Sequence, residues 1–239
     1  PPGSSHDSNN CGQRVVSPSD DVQAPFTFWP GPLDRMVAHV RAGFDGKDLK
    51  VRDVGPPLKN PKGRGLLEPS VSHSVTLFWI TIRAQDDRGY LSVSDDGLNW
   101  LEEGLVLGRW QATRELVNTT TWLMHRDGLF LVYTHKDDSN EEVKRWRAPW
   151  WMRKVDTENH RLRRSTEKIV LPLVGHGDNA PEDVAFMDNF NVTDASPDDS
   201  ESLQADDAAQ RLHGRRAAFP HPLANTNPTA SVVNQTRYG

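Results

Sequence analysis

The chain has 239 residues, 28 basic and 33 acidic, for a formal net charge of −5 and a pI near 6.0, a balance that argues against nucleic acid as its main partner. Hydrophobic residues make up 36%, low for a compact domain, and the shortfall lies mostly at the two ends. Cys11 is the only cysteine, which excludes an internal disulfide and a cysteine-rich metal site, and no residue pattern asks for a metal or cofactor.

Residues 1–25 combine Pro, Gly, Ser, Asn and Asp with few large apolar groups, and are expected to form a flexible arm. They lack the charged-then-apolar order of a signal peptide, there is no initiating Met, and no apolar run reaches the length of a membrane span. From Phe26 the texture turns to β. Residues 36–41 predict a strand, Phe44-Asp45-Gly46 a turn, 49–54 a second strand and 59–65 a polar loop. After Leu66-Leu67-Glu68-Pro69-Ser70 comes the run 75–83, apolar on both faces, which belongs inside its sheet or between packed sheets. Tyr90, Ser92 and Ser94 then alternate with Leu91 and Val93, and Asp95-Asp96-Gly97 makes a tight turn before Trp100. Leu101, Leu105 and Leu107 predict an outer strand.

A similar cycle follows. Residues 119–125 predict a strand, Arg126-Asp127-Gly128 a turn and 129–135 a second strand. A polar loop spans 136–142, a strand broken by Pro149 spans 147–155, and another covers 167–171. The basic clusters at 144–147 and 161–164 read as strand-edge and surface charge. One more strand fits within 184–192, and from Asp194 the chain is acidic and then broken by Pro220, Pro222 and Pro228. The expected organisation is an arm at 1–25, a β domain at 26–198 and a low-order tail at 199–239. Asn-x-Thr sequons start at Asn118, Asn191 and Asn234.

Ser94, Asp96, Gly97 and Trp100 have the order S-x-D-G-x-x-W and resemble the Asp-box hairpin of sialidases and other bacterial-neuraminidase-repeat propellers. The segments 66–70, 82–90, 127–134, 145–149 and 187–192 also resemble sialidase-like proteins of that group. The resemblance spans about residues 36–200. It implies an all-β, antiparallel-bladed propeller, nominally six-bladed and incomplete here, since the β-rich part has room for about three or four blades of roughly 40–50 residues. The family carries a bulky polar segment where this chain has 118–121, and the tail after Ser202 resembles nothing in it.

For function, the resemblance implies a sialidase-like glycoside hydrolase cleaving terminal sugars from glycoconjugates at an extracellular or periplasmic place. Sialidases set an arginine triad on the substrate carboxylate, beside an acidic general acid/base and a tyrosine activated by glutamate. Guanidinium forks match a carboxylate bidentately, which is why arginines take that task. On that pattern Arg83 and Arg147 bind substrate, Asp86 or Asp87 is the general acid and Glu68 is the remaining carboxylate. Structural ion pairs for the arginines and a loop cap for Glu68 are the alternatives. Tyr133 lies in an apolar strand and is expected in the core. Other functions open to such a propeller are non-catalytic glycan binding, with Trp79, Trp122, Trp146, Trp150 or Trp151 stacking on sugars; a purely structural role; or a glycosidase of the arabinofuranosidase or xylosidase kind.

Overall fold

A computed structural model describes residues 6–8, 12–29, 31, 33–74, 76–86, 88–100, 120–125, 127–173, 187–194, 200–206 and 215–219. The described residues build four antiparallel sheets in chain order. The first holds β1 (His6–Ser8), β2 (Val15–Val16), β3 (Asp21–Trp29), β4 (Met36–Phe44) and β5 (Leu49–Val54), in the order β1-β3-β4-β5 with β2 also on β3. The second is β6 (Leu66–Ser74), β7 (Leu77–Ala84) and β8 (Gly89–Ser94). The third runs from β9 (Thr121–His125) through β10 (Gly128–Tyr133) to β11 (Trp150–Asp156), which pairs with both β12 (Arg161–Leu162) and β13 (Lys168–Leu171). The fourth is β14 (Met187–Asp194), β15 (Ser200–Asp206) and β16 (Arg215–Phe219). Within the second sheet, and from β9 to β11, each strand pairs with the next in sequence. This is what short polar turns between β-branched and aromatic runs dictate.

Successive sheets pack face to face over three cores. Val37 of the first sheet and Leu58, bridged to it after β5, meet Ile80, Ile82 and Tyr90 of the second and Trp100 of the turn after β8. Trp79, Leu91 and Val93 of the second meet Trp122, Leu131, Tyr133 and Trp151 of the third. Leu123, Phe130, Val132 and Trp150 of the third meet Val192 of the fourth. The middle sheets are thus buried on both faces, the physical reason β7 is apolar throughout. β3 and β4 abut β6, β6 abuts β9, and β9 abuts β14.

The turn after β8 seats the second sheet on the first. Asp96 Oδ1 accepts from the N–H groups of Leu98 and Asn99 at 2.9 and 2.8 Å, Ser94 Oγ donates to Asp96 at 2.9 Å, and Gly97 N–H donates to Ser94 Oγ at 3.0 Å. Gly97 has φ +72°, and a side chain there would press on Gln23 of β3 and Phe78 of β7. Trp100 stacks on His39 of β4 with ring centroids 5.3 Å apart. His39 is buried, and burial holds its imidazole down to about 3, against the opposing pull of Asp96, so it is neutral at ordinary pH. The turn after β11 repeats the spacing of acid, Asn and ring. Asp156 accepts from Asn159 N–H at 3.2 Å, and the next residue, His160, meets Trp79 of the second sheet at 5.5 Å.

The strands expected at 36–41, 49–54, 75–83, 119–125, 129–135, 147–155 and 167–171 correspond to β4, β5, β7, β9, β10, β11 and β13. β6 forms despite its Glu-Pro pair because a bulge takes both residues. The 1–25 segment read as an arm contains β1, β2 and the start of β3, and the 199–239 segment contains β15 and β16. These strands are made by their partners: β3 is laid along β4 from Asp21 to Phe28, and Pro25 falls between the stretches paired with β2 and β1. The outer strand expected at 101–107 lies outside the described residues, as does Asn118-Thr119.

Candidate functional site

The polar residues gather at one end of the second sheet. In β6 the pairs Leu67↔Arg83 and Ser70↔Thr81 leave Glu68 and Pro69 opposite Ile82 alone, a bulge of one residue. Glu68 adopts φ +47°, a conformation rare for a side-chain-bearing residue and typical of sites where geometry outranks local comfort. From that position its Oε1 accepts from Arg83 Nη1 at 2.8 Å, with both side chains mostly buried.

The 59–65 loop is fastened to the residues that follow Arg83. Asn60 Nδ2 donates to Asp86 Oδ2 at 2.9 Å and lies 2.7 Å from the Tyr90 hydroxyl oxygen. That hydroxyl in turn donates a short hydrogen bond to the same Asp86 oxygen. Burial, and then Asp86, push the Tyr90 phenol well above its ordinary value, so it remains a donor. Asp86 Oδ1 is buried with no hydrogen-bond partner among the described residues. Arg64 Nε donates to Gln85 Oε1 at 2.7 Å.

Arg35 enters through the backbone. Its N–H donates to Arg64 O at 3.1 Å, and Leu66 N–H donates to Arg35 O at 2.9 Å. The bridge requires Gly65, at φ +82°, since a Cβ there would lie 2.2 Å from Arg35 O. The Arg35 guanidinium rests on the Trp29 ring, 4.7 Å from its centroid. Burial, and then the like charges of Arg35, Arg83 and Arg145, pull Arg64 below its ordinary value, with Glu68 opposing. Arg35, Arg83, Arg145 and Glu68 thus each lie within electrostatic reach of Arg64, and Glu68 is in direct contact with Arg83.

Arg145 lies on the β10–β11 connection. Asn140, buried, ties that loop by donating to His135 O at 2.9 Å and Ala148 O at 2.8 Å. Arg145 and Trp146 follow as two consecutive left-handed residues, φ +56° and +54°, and the Lys136 ammonium sits 4.1 Å from the Trp146 ring centroid.

Of the expected site residues, Glu68 and Arg83 are in direct contact, and Asp86 stands three residues beyond Arg83 in the same corner. Arg147 follows the left-handed pair with its Nε buried. Asp87 lies outside the described residues. Tyr133 is buried in the core, its hydroxyl donating to Glu167, which also holds Arg153; burial keeps that phenol protonated, although Arg153 pulls the other way. Sequence reasoning missed Arg35, Arg64, Arg145, Asn60 and Tyr90. Arg64 precedes Gly65 and the Leu66–Ser70 segment, Tyr90 and Arg145 lie within segments already marked by the resemblance, and Arg35 and Asn60 carried no local signal. Among the described residues no group of three His, Cys, Asp or Glu side chains could hold a metal ion, and no helix is long and apolar enough to cross a membrane.

No family model matches the chain, and no curated protein matches it. Among solved structures, the chain is similar to Trypanosoma rangeli sialidase in complex with sialic acid, with a TM-score of 0.54 and 13% identity over 90% of this chain and 31% of that one. The same sialidase bound to the inhibitor DANA gives a TM-score of 0.53 and 16% identity over 85% and 30% of the two chains. Its covalent intermediate with 2,3-difluorosialic acid gives the same four values. This chain thus spans about three tenths of the length of those structures. At such identity the likeness is one of fold: all-β, in antiparallel sheets.

Proposed function

We propose that the four sheets are successive blades of a sialidase-like propeller and that the chain is part of a glycoside hydrolase removing terminal acidic sugars from glycoconjugates. The observation that carries this reading is the Arg83–Glu68 pair beside Arg64, on which Arg35, Arg83 and Arg145 also act, in a sialidase-like fold. A carboxylate-bearing sugar satisfies such a set through forked, charge-assisted hydrogen bonds. Asp86, held at Oδ2 by Tyr90 and Asn60, is the general-acid candidate of this reading. Asp87 neighbours it in sequence, and Arg147 is kept as a second substrate-binding arginine of this reading, two residues after Arg145. Ser94, Asp96, Gly97 and Trp100 are read as an Asp-box that fastens blades and takes no part in chemistry.

The test is turnover of a fluorogenic sialoside against a fluorogenic arabinofuranoside by the full chain. Sialoside hydrolysis is expected, falling roughly 100-fold in kcat/KM in Arg83→Ala, the scale of losing one preorganised charge-assisted donor pair. Hydrolysis of neither substrate by folded protein would count against an enzyme, and cleavage of the arabinofuranoside alone would move the substrate to a neutral sugar.

A further inference from the structure

We infer that Glu68 is a resident counter-ion of the arginine set, and that an entering anionic ligand competes with it for Arg83. This rests on reading the arginines as an anion site and is independent of whether a glycosidic bond is cut. Three observations lead to it. Glu68 Oε1 takes Arg83 Nη1 at 2.8 Å, the geometry a ligand carboxylate would adopt. The other guanidiniums come from separate segments: Arg64, whose Nε donates to the Gln85 amide; Arg35, which rests on the Trp29 ring and is tied by its backbone bridge; and Arg145, from the Asn140-anchored loop. Glu68 itself stands on a bulge with left-handed backbone, so a small change there swings the carboxylate away without disturbing the paired strands on either side.

The site therefore has two states. Without ligand, Glu68 neutralises part of the cluster and limits mutual repulsion among the arginines. With ligand, the incoming carboxylate takes over Arg83 and Glu68 is displaced. The ligand chemistry is a small oxyanion presented by a sugar, and the cost of displacing Glu68 sets its affinity. A catalytic carboxylate predicts the opposite response to neutralisation, in which binding changes little and turnover is lost.

The experiment is calorimetric titration of the full chain with sodium sulfate, glucuronate and N-acetylneuraminate, in wild type, Glu68→Gln and Arg64→Ala. Removing a partly buried competing charge is expected to tighten binding by about three- to tenfold in Glu68→Gln, while Arg64→Ala weakens it. Tightening for all three anions assigns the site to oxyanions in general; tightening for N-acetylneuraminate and glucuronate alone assigns it to sugar carboxylates. Equal or weaker binding in Glu68→Gln overturns the inference. If that variant does not fold, the guanidinium NMR signal of Arg83 in the wild type reads the same event: saturating N-acetylneuraminate must shift it, and an unmoved signal overturns the inference. Failure of sialoside turnover leaves these readouts intact, so the two readings fall separately.

Discussion

At the residue scale, Asp96 organises the turn after β8. Burial would raise its carboxyl, but the N–H groups of Asn99 and Leu98 and the side chains of Asn99 and Ser94 outweigh it and bring it down from 3.8 to about 2. Because the folded value lies below the unfolded one, the stabilisation is whole above pH 3.8 and is lost as pH falls toward 2. Asp96→Asn should therefore cost about 2 kcal/mol near neutral pH, with the gap to wild type closing below pH 4, measured by urea unfolding across pH. This turn was legible from Ser94, Asp96, Gly97 and Trp100 because its hydrogen bonds join residues within six positions of one another. Glu68 was legible as a carboxylate in a promising place. Its left-handed backbone and its bond to Arg83 were not, since both depend on the register of β6 against β7.

At the element scale, the segment before β2 changes meaning. Gln13 lies between β6 and β9: its backbone carbonyl accepts from Val71 N–H at 3.1 Å, and its N–H donates to Ser70 Oγ at 3.1 Å. Its side-chain amide pairs with the Trp122 peptide in both directions, donating to Trp122 O at 2.9 Å and accepting from Trp122 N–H. One side chain does the work of a β-bridge between two sheets. Gln13→Ala leaves the Trp122 peptide groups unpaired, and a loss of about 1–3 kcal/mol is expected by chemical denaturation, together with faster hydrogen exchange at Trp122. Composition pointed to an arm here because local apolar content was low, whereas the order comes from hydrogen bonds to residues more than fifty positions away. The same holds for the 137–148 connection: Asn140 looks like any polar loop residue until its amide is seen to satisfy His135 and Ala148 carbonyls.

At the scale of the whole molecule, three inter-sheet cores hold the four sheets in sequence, and Trp79 is central to the middle one. It is 1% exposed and meets Trp122 edge-on at 6.4 Å and His160 at 5.5 Å. Trp79→Ala should cost about 3–5 kcal/mol in urea unfolding, the range for emptying a large aromatic site in a packed core. A loss below about 1 kcal/mol would mean that the second and third sheets are not joined through this residue.

The all-β class, most strands of the first three sheets and the turn at Asp96 follow from alternation, β-branched and aromatic runs, and Asp-Gly turns, all of which act between near neighbours in the chain. The arginine cluster does not follow from them. Arg35, Arg64, Arg83 and Arg145 come from segments up to about a hundred residues apart, and of these only Arg83 was singled out from the sequence. Their convergence required the parallel bridge at Gly65, the bulge at Glu68 and the anchored loop before β11. Charge is carried by individual residues, but a field strong enough to bind an anion arises only when folding brings those charges together out of bulk water.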